Sequence, residues 1–445
     1  MILKNANICQ FKNDSYQPVF GDLQIENGII TNINERSFEK YVRESSKKPM
    51  ESNSNLSEYD AQGRLVLPPL VNFHEHVYSR LSKGLPVKGD LSNFLNVLKN
   101  LWWKLDRALF QEAIEASAQI AAIEAIKNGV GTLFDHHASP KFVSGSLEII
   151  KKVLKAHGLD AVLSYEISDR NGIENMKEGV QENLDFIRFQ TSQHCKAQFG
   201  LHALFTLNDE TLKYIQEQTA DLNAGFHVHI AEDKYDVDFN KEKYNLSLLQ
   251  RLKKFNLINE KTFLVHCNHI DKNELEAVAK QKATIVHNPD SNFNNAVGTL
   301  NLLEVPQNCN LVLGTDGMHS NILRSIKMAF LNVRHQNLNS TIGFEIIDRI
   351  IKNSFATQEM FFGKSPKLQL GDVADFIVLD YVPYTPLDKE NFLGHFLYGA
   401  TEVPVRTMFK NGYFLMKDYD IERENEIYQR SYEIGKKVRE RFENM

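Results

Sequence analysis

The segment Leu65-Val66-Leu67-Pro68-Pro69-Leu70-Val71-Asn72-Phe73-His74-Glu75-His76 decides how the rest of the chain is read. A short apolar run, residues 65–71, leads straight into two histidines. Apolar runs of this length suit a buried strand. Residues i and i+2 of a strand share a face, so His74 and His76 can reach one cation. Alone, the pair is equally well explained by two surface histidines. Moving outward, seven more β-rich runs follow, at 132–135, 161–166, 197–201, 226–230, 263–265, 283–286 and 311–313. Amphipathic stretches lie between them. One spans 109–127, with Ala and Ile at helical spacing and Gly129 as its C-cap. Alternating βα units imply a parallel sheet, and eight of them imply an α/β chain with a (β/α)8 TIM barrel over 68–366.

In such a barrel the C-terminal strand ends face the active site. The fifth run ends in His227-Val228-His229-Ile230-Ala231-Glu232. His229 is a candidate third ligand, and Glu232, just past the strand, a candidate acid/base. Two hydrogen-bonded histidines would also explain the pattern. The sixth run ends in His266-Cys267 and the eighth in Gly314-Thr315-Asp316-Gly317. A carboxylate leaving a buried strand needs a partner, because burying it alone is costly. A metal or its water would serve Asp316, as would a helix N-cap role. Four separate coincidences at strand ends of one barrel are harder to accept than a single metal site.

Both ends of the chain read differently. Residues 19–30 alternate around Asn27-Gly28, a hairpin signal repeated at Asn411-Gly412. Residues 40–60 are rich in Ser, Asn, Lys and Glu and read as a mobile surface loop. Residues 1–67 and 367–445 are expected to build one composite β-domain carrying a charged, solvated C-terminal helix. The chain has 445 residues and is 42% hydrophobic and 24% charged, which suits a globular fold and excludes collagen-like or disordered classes. A net charge of −6 from interspersed signs makes nucleic acid an unsuitable partner. Four scattered cysteines (Cys9, Cys195, Cys267, Cys309) give no disulfide framework. With no signal peptide and no membrane-length apolar run, the expectation is a cytoplasmic protein away from the membrane, with a homodimer as the base-rate assembly.

The layout resembles the amidohydrolase superfamily, in particular the aminohydrolase and chlorohydrolase branch of triazine hydrolases, guanine deaminase and adenosine-type deaminases. That branch carries HxH after strand 1, HxxE after strand 5, His after strand 6 and Asp after strand 8. Here these are His74 and His76, His229 with Glu232, His266, and Asp316. The strings at 135–140, 164–170, 314–318 and 380–387 are similar to the SsnA group of aminohydrolases. Glu75 departs from the usual small residue between the first two histidines. Alternation points it away from the metal, toward a lysine or arginine at the rim.

The resemblance implies a β-sandwich built from both termini. It also implies one divalent metal, Zn²⁺ by donor chemistry with Fe²⁺ or Mn²⁺ also fitting, held by His74, His76, His229 and Asp316. No lysine ends the fourth run, where His202 sits, so a second, lysine-bridged metal is not expected. Asp316, His266 and Glu232 would move protons and polarise the electrophile. Tyr78, Trp103, His202 and His287 are the expected substrate contacts by position. The expected activity is hydrolytic deamination of an amino-substituted heterocycle, a small molecule. Opening of a cyclic amide or amidine at the same site and a catalytically silent assembly protein stand as alternatives.

Overall fold

The computed structural model describes residues 1–45 and 58–445. The chain opens with β1 (Ile2–Lys12), β2 (Ser15–Glu26) and β3 (Ile29–Glu35), paired antiparallel in that order. Asn27 and Gly28 form the two-residue turn opposite Glu26 and Ile29, both at positive φ (52° and 76°). That is the backbone a tight hairpin requires. The stretch 40–60 corrects the loop expectation at both ends. Phe38–Ser45 is a helix because Phe38 and Tyr41 pack on the Phe20 ring, at 5.0 and 5.1 Å. Tyr59 is buried on β4 (Glu58–Asp60), which runs parallel to β1. The rest of the expected loop, 46–57, lies outside the described residues.

The first apolar run is two strands rather than one. Pro68-Pro69 cannot donate to a ladder and separates β5 (Leu65–Leu67), paired with β1, from β6 (Leu70–Glu75). β6 begins a four-stranded sheet with β7 (Val130–His137), β8 (Asp160–Tyr165) and β9 (Cys195–Ala197). The run at 197–201 is likewise broken at Gln198. Past it, β10 (Phe199–Ala203), β11 (Phe226–Ile230), β12 (Phe263–His266), β13 (Thr284–His287) and β14 (Asn310–Leu313) form a second, wholly parallel sheet in chain order. Helices such as Gln111–Lys127, Ile173–Asp185 and Lys272–Gln281 fall between these strands, so the chain is α/β. Parallel bridges also join Glu75 to Asp316 and Ile167 to Leu201. At Gly200 an added Cβ would lie 2.2 Å from the Tyr165 carbonyl oxygen, so only glycine permits this approach.

The C-terminal strands β15 (Phe376–Leu379), β16 (Val405–Lys410) and β17 (Tyr413–Met416) return to the first sheet, whose order is β17-β16-β15-β5-β1-β2-β3. Asn411 and Gly412 repeat the positive-φ turn (54° and 87°).

The chain divides into two compact units. One comprises Met1–Val71, Ala125–Gly131 and Gly363–Glu422, and the other Asn72–Glu124, Thr132–Phe362 and Arg423–Met445. The helix Glu424–Glu443 therefore falls in the second unit, not with the terminal strands as expected. Ser431, Ile434, Val438 and Phe442 form its buried stripe, and Arg441 lies over the Phe110 ring at 5.0 Å. All four cysteines are buried and free. Among the described residues, no helix is long and apolar enough to cross a membrane.

Candidate active site

The second unit gathers its histidines at the C-terminal ends of β6, β7, β10, β11 and β12. His74 closes on Asp316 Oδ1 from Nε2 at 3.5 Å, and His76 from its own Nε2 at 3.1 Å. His229 Nε2 lies 3.3 Å from His76 Nε2. The donor atoms of His74, His76, His229 and Asp316 all fall within 4.8 Å of one another.

The ring protons can be assigned from the partners. His76 Nδ1 meets the His136 carbonyl at 2.6 Å, and His229 Nδ1 meets the His202 carbonyl at 2.9 Å. A carbonyl only accepts, so each Nδ1 carries a hydrogen, and each ring in its neutral form turns a lone pair inward from Nε2. With both rings neutral, two lone pairs and a carboxylate oxygen face one point, an arrangement that suits a metal cation. His74 Nε2 is buried with no hydrogen-bond partner. Burial holds His74 and His229 well below the usual imidazole range. Burial works against charge on His76 too, but the Asp316 carboxylate outweighs it and pushes His76 up to about 9. Burial opposes the Asp316 charge, yet its contacts to His74 and His76 hold the carboxyl well below its ordinary value.

A second group shares Asp316. His266 Nε2 stands 3.5 Å from Glu232 Oε2 and 3.9 Å from Asp316 Oδ2. Asn292 Oδ1 accepts from His266 Nδ1 at 2.8 Å, and Ser291 Oγ donates to Asp316 Oδ2 at 2.5 Å. Burial raises the Glu232 carboxyl, with His266 pulling the other way. The backbone here is left-handed at residues other than glycine: Ala231 (φ 48°), His266 (74°), Cys267 (57°) and Asp316 (54°). Such torsions concentrate where function constrains the chain. Gly314 lets the Asp316 loop pass, since an added Cβ would meet Asn288 Oδ1 at 2.4 Å and the His74 carbonyl at 2.7 Å.

A cavity opens over these groups. Tyr78, Trp103 and His202 line it, with Trp102, Phe205 and Glu166 beside them. His287 corrects the expectation. It ends β13 but does not line the cavity; it is fully buried, and that burial lowers it to about 3. Glu166 escaped the sequence reading. It follows β8, lies 3.5 Å from both His202 Nε2 and Arg170 Nη2, and burial pushes its carboxyl up to about 7. Arg170 is itself committed, bonding Asp106 Oδ2 at 3.0 Å and lying over the Trp103 ring at 4.8 Å. A glutamate two residues before a polar turn was the available signal.

Glu75 points away from the four donors, as alternation requires. It meets an arginine: Arg80 Nη2 is 3.1 Å from Glu75 Oε2, and both side chains are fully buried. Asn72 and Ser320 add hydrogen bonds to the same oxygen, at 2.6 and 2.9 Å.

Comparison with known proteins accords with this geometry. The Amidohydrolase family matches residues 65–415. The chain belongs to this family. Among similar amidohydrolases is a 5-methylthioadenosine/S-adenosylhomocysteine deaminase of Thermococcus sibiricus, 27% identical over 429 residues that cover 94% of each chain. A 5'-deoxyadenosine deaminase of Methanosarcina acetivorans is 25% identical, over 95% of this chain and 94% of the relative. Two solved structures share the fold. An adenosine deaminase from Xanthomonas campestris with bound zinc has a TM-score of 0.77 at 17% identity, covering 100% of this chain and 98% of that one. The atrazine chlorohydrolase TrzN from Arthrobacter aurescens, complexed with zinc, has a TM-score of 0.77 at 15% identity, covering 98% and 99%.

Proposed function

We propose that this amidohydrolase is a zinc-dependent aminohydrolase that removes the amino group of a small amino-substituted heterocycle. One observation carries the metal assignment. Ligands about 2.0–2.1 Å from zinc in a tetrahedron stand about 3.3–3.4 Å apart. Three of the six donor separations among His74, His76, His229 and Asp316 are 3.1, 3.3 and 3.5 Å, and all lie within 4.8 Å. Three imidazoles and a carboxylate are a donor set zinc accepts, and Fe²⁺ or Mn²⁺ fit it also. The deaminase names of the similar proteins support the choice of reaction.

When bound, zinc supplies a Lewis acid that brings the pKa of water from about 16 toward about 7. The rest falls to the chain's own residues. Asp316 offers Oδ1 to the ligand set and keeps Oδ2 to accept a proton from the attacking water. His266, oriented by Asn292, hydrogen-bonds the water or the electrophilic carbon's substituent from Nε2. Glu232 carries a proton to the ring nitrogen and then to the leaving amine; burial raises its carboxyl, which favours its taking up the proton it hands on. The water oxygen bonds to the ring carbon, the carbon–nitrogen bond breaks, and ammonia leaves with the transferred protons. Tyr78, Trp103 and His202 would hold the planar ring.

The same reading extends to the fold. We take the two parallel sheets as one closed (β/α)8 barrel, with β9 and β10 sharing a strand position. The bridges Glu75–Asp316 and Ile167–Leu201 support closure, as do the rings of Phe73, Phe134 and Phe263, which meet at 5.1–6.2 Å from strands of both sheets. For the terminal sheet, Tyr59 on Phe414 at 5.6 Å supports a sandwich curled from both chain ends.

The test is ammonia release from adenosine-type, guanine-type and triazine compounds by protein of known zinc content. Glu232→Gln should lower turnover by about 10²–10⁴-fold while keeping its zinc. Wild-type turnover in that variant would remove the proposed proton carrier.

A further inference from the structure

We propose that His227, with Gln198 behind it, fixes the tautomer of His74 and so prepares His74 Nε2 to bind the metal. The inference rests on the metal site described above and adds two positioning residues outside the ligand set.

A run of hydrogen bonds leads from a backbone carbonyl to the site, and each link dictates the next. Gln198 Nε2 donates to the Lys261 carbonyl at 2.8 Å. That oxygen can only accept, so the amide cannot flip, and Gln198 Oε1 must face His227 Nδ1, at 3.0 Å. An amide oxygen also only accepts, so the hydrogen of His227 sits on Nδ1. The neutral ring then presents a lone pair at Nε2, 2.8 Å from His74 Nδ1. His74 Nδ1 must therefore carry its own hydrogen. Its Nε2, 3.5 Å from Asp316 Oδ1, is left with the lone pair a metal needs.

The arrangement answers a need specific to His74. His76 and His229 take their tautomers directly from carbonyls, those of His136 and His202. His74 reaches no carbonyl, and its Nδ1 meets a second imidazole, which accepts in one tautomer and donates in the other. Without Gln198, His227 could place its hydrogen on Nε2. His74 would then carry its hydrogen on Nε2, aimed into the ligand set. Gln198 is fully buried and His227 is 1% exposed, so water does not take over either link. Among the described residues no carboxylate lies within ion-pair distance of His227, so nothing there compensates an imidazolium. The break between β9 and β10 also acquires a purpose. It falls at Gln198 and turns this one side chain toward His227.

The experiment measures zinc affinity of the full-length protein by competition with a chromophoric chelator, with the visible spectrum of the cobalt(II)-substituted protein as a second readout. His227→Leu and Gln198→Leu should each weaken zinc binding by about 10–100-fold, the range for partners that orient a metal ligand. Both should leave the unfolding temperature of the metal-free protein near that of wild type. His227→Gln can accept from His74 and donate to Gln198, so it should bind zinc and show a cobalt spectrum close to wild type. Undiminished affinity in both leucine variants overturns the inference alone. So does a fall in His227→Gln as deep as in His227→Leu. Wild-type protein that binds no zinc overturns the metal-site reading and this inference with it.

Discussion

The buried pair Glu75–Arg80 offers a quantitative test of how β6 is held. Consider Arg80→Met. Glu75 Oε2 now accepts from Arg80 Nη2 (3.1 Å), Asn72 Nδ2 (2.6 Å) and Ser320 Oγ (2.9 Å), and neither charged side chain is exposed. The substitution removes the one charged donor among the described residues and leaves a carboxylate with two neutral hydrogen bonds. Breaking a buried pair from one side costs about 3–5 kcal/mol, and the surviving bonds place this case near about 3. Arg80 also pairs with Glu124, but that carboxylate is partly exposed, so its loss adds little. Glu75→Gln/Arg80→Met should recover about 1–2 kcal/mol, because an amide needs no counter-charge. Burial already raises the Glu75 carboxyl, and Arg80 is what opposes it. In Arg80→Met the folded-state pKa therefore climbs further above the unfolded value. A carboxyl raised on folding destabilises at high pH, and that penalty fades as pH falls toward the unfolded pKa. Urea unfolding of wild type, single and double variants at pH 8 and pH 5.5 reads both effects. A single variant within about 1 kcal/mol of wild type at pH 8, or a gap equal at the two pH values, would refute the reasoning.

Three further outcomes are expected. Gly314→Ala should displace the His74 backbone, costing about 1–3 kcal/mol of stability by overpacking and lowering zinc occupancy, read by urea unfolding and metal analysis. Zinc affinity should rise about tenfold per pH unit from pH 7 toward 9, because the proton on His76, held with a pKa of about 9, must leave before zinc enters; a flat chelator-competition profile over that range would contradict this. Asp316→Asn should lower zinc affinity and turnover together, whereas Glu232→Gln should spare the metal, and parallel metal and ammonia measurements separate the two.

The sequence was legible where physics acts locally. The Asn-Gly turns at 27–28 and 411–412 are written in residues that tolerate positive φ, and the HxH spacing fixes which side chains share a strand face. Alternation turned Glu75 away from the metal toward a lysine or arginine expected at the rim, and the partner, Arg80, is buried with it. Other features depended on neighbours distant in the chain. Phe38 and Tyr41 turn a polar stretch into a helix only because Phe20 is there to cover. The C-terminal helix looked wholly solvated because its buried stripe is four residues among many charges. His287 sits at a strand end like the other site histidines, but its register leaves it out of the cavity. Gln198 and His227 were hidden because their part is defined by a carbonyl at Lys261, more than thirty residues from either in the chain.

The left-handed backbone at Ala231, His266, Cys267 and Asp316 has an evolutionary corollary. Each such torsion costs of order 1–3 kcal/mol, and the surrounding core must absorb it. Selection of this enzyme for heat tolerance alone would drift first to glycine at Ala231 and Cys267, which touch no ligand, and then erode the rigidity that aims their neighbours. Breeding a hardier protein at these positions would therefore tend to yield a slower catalyst.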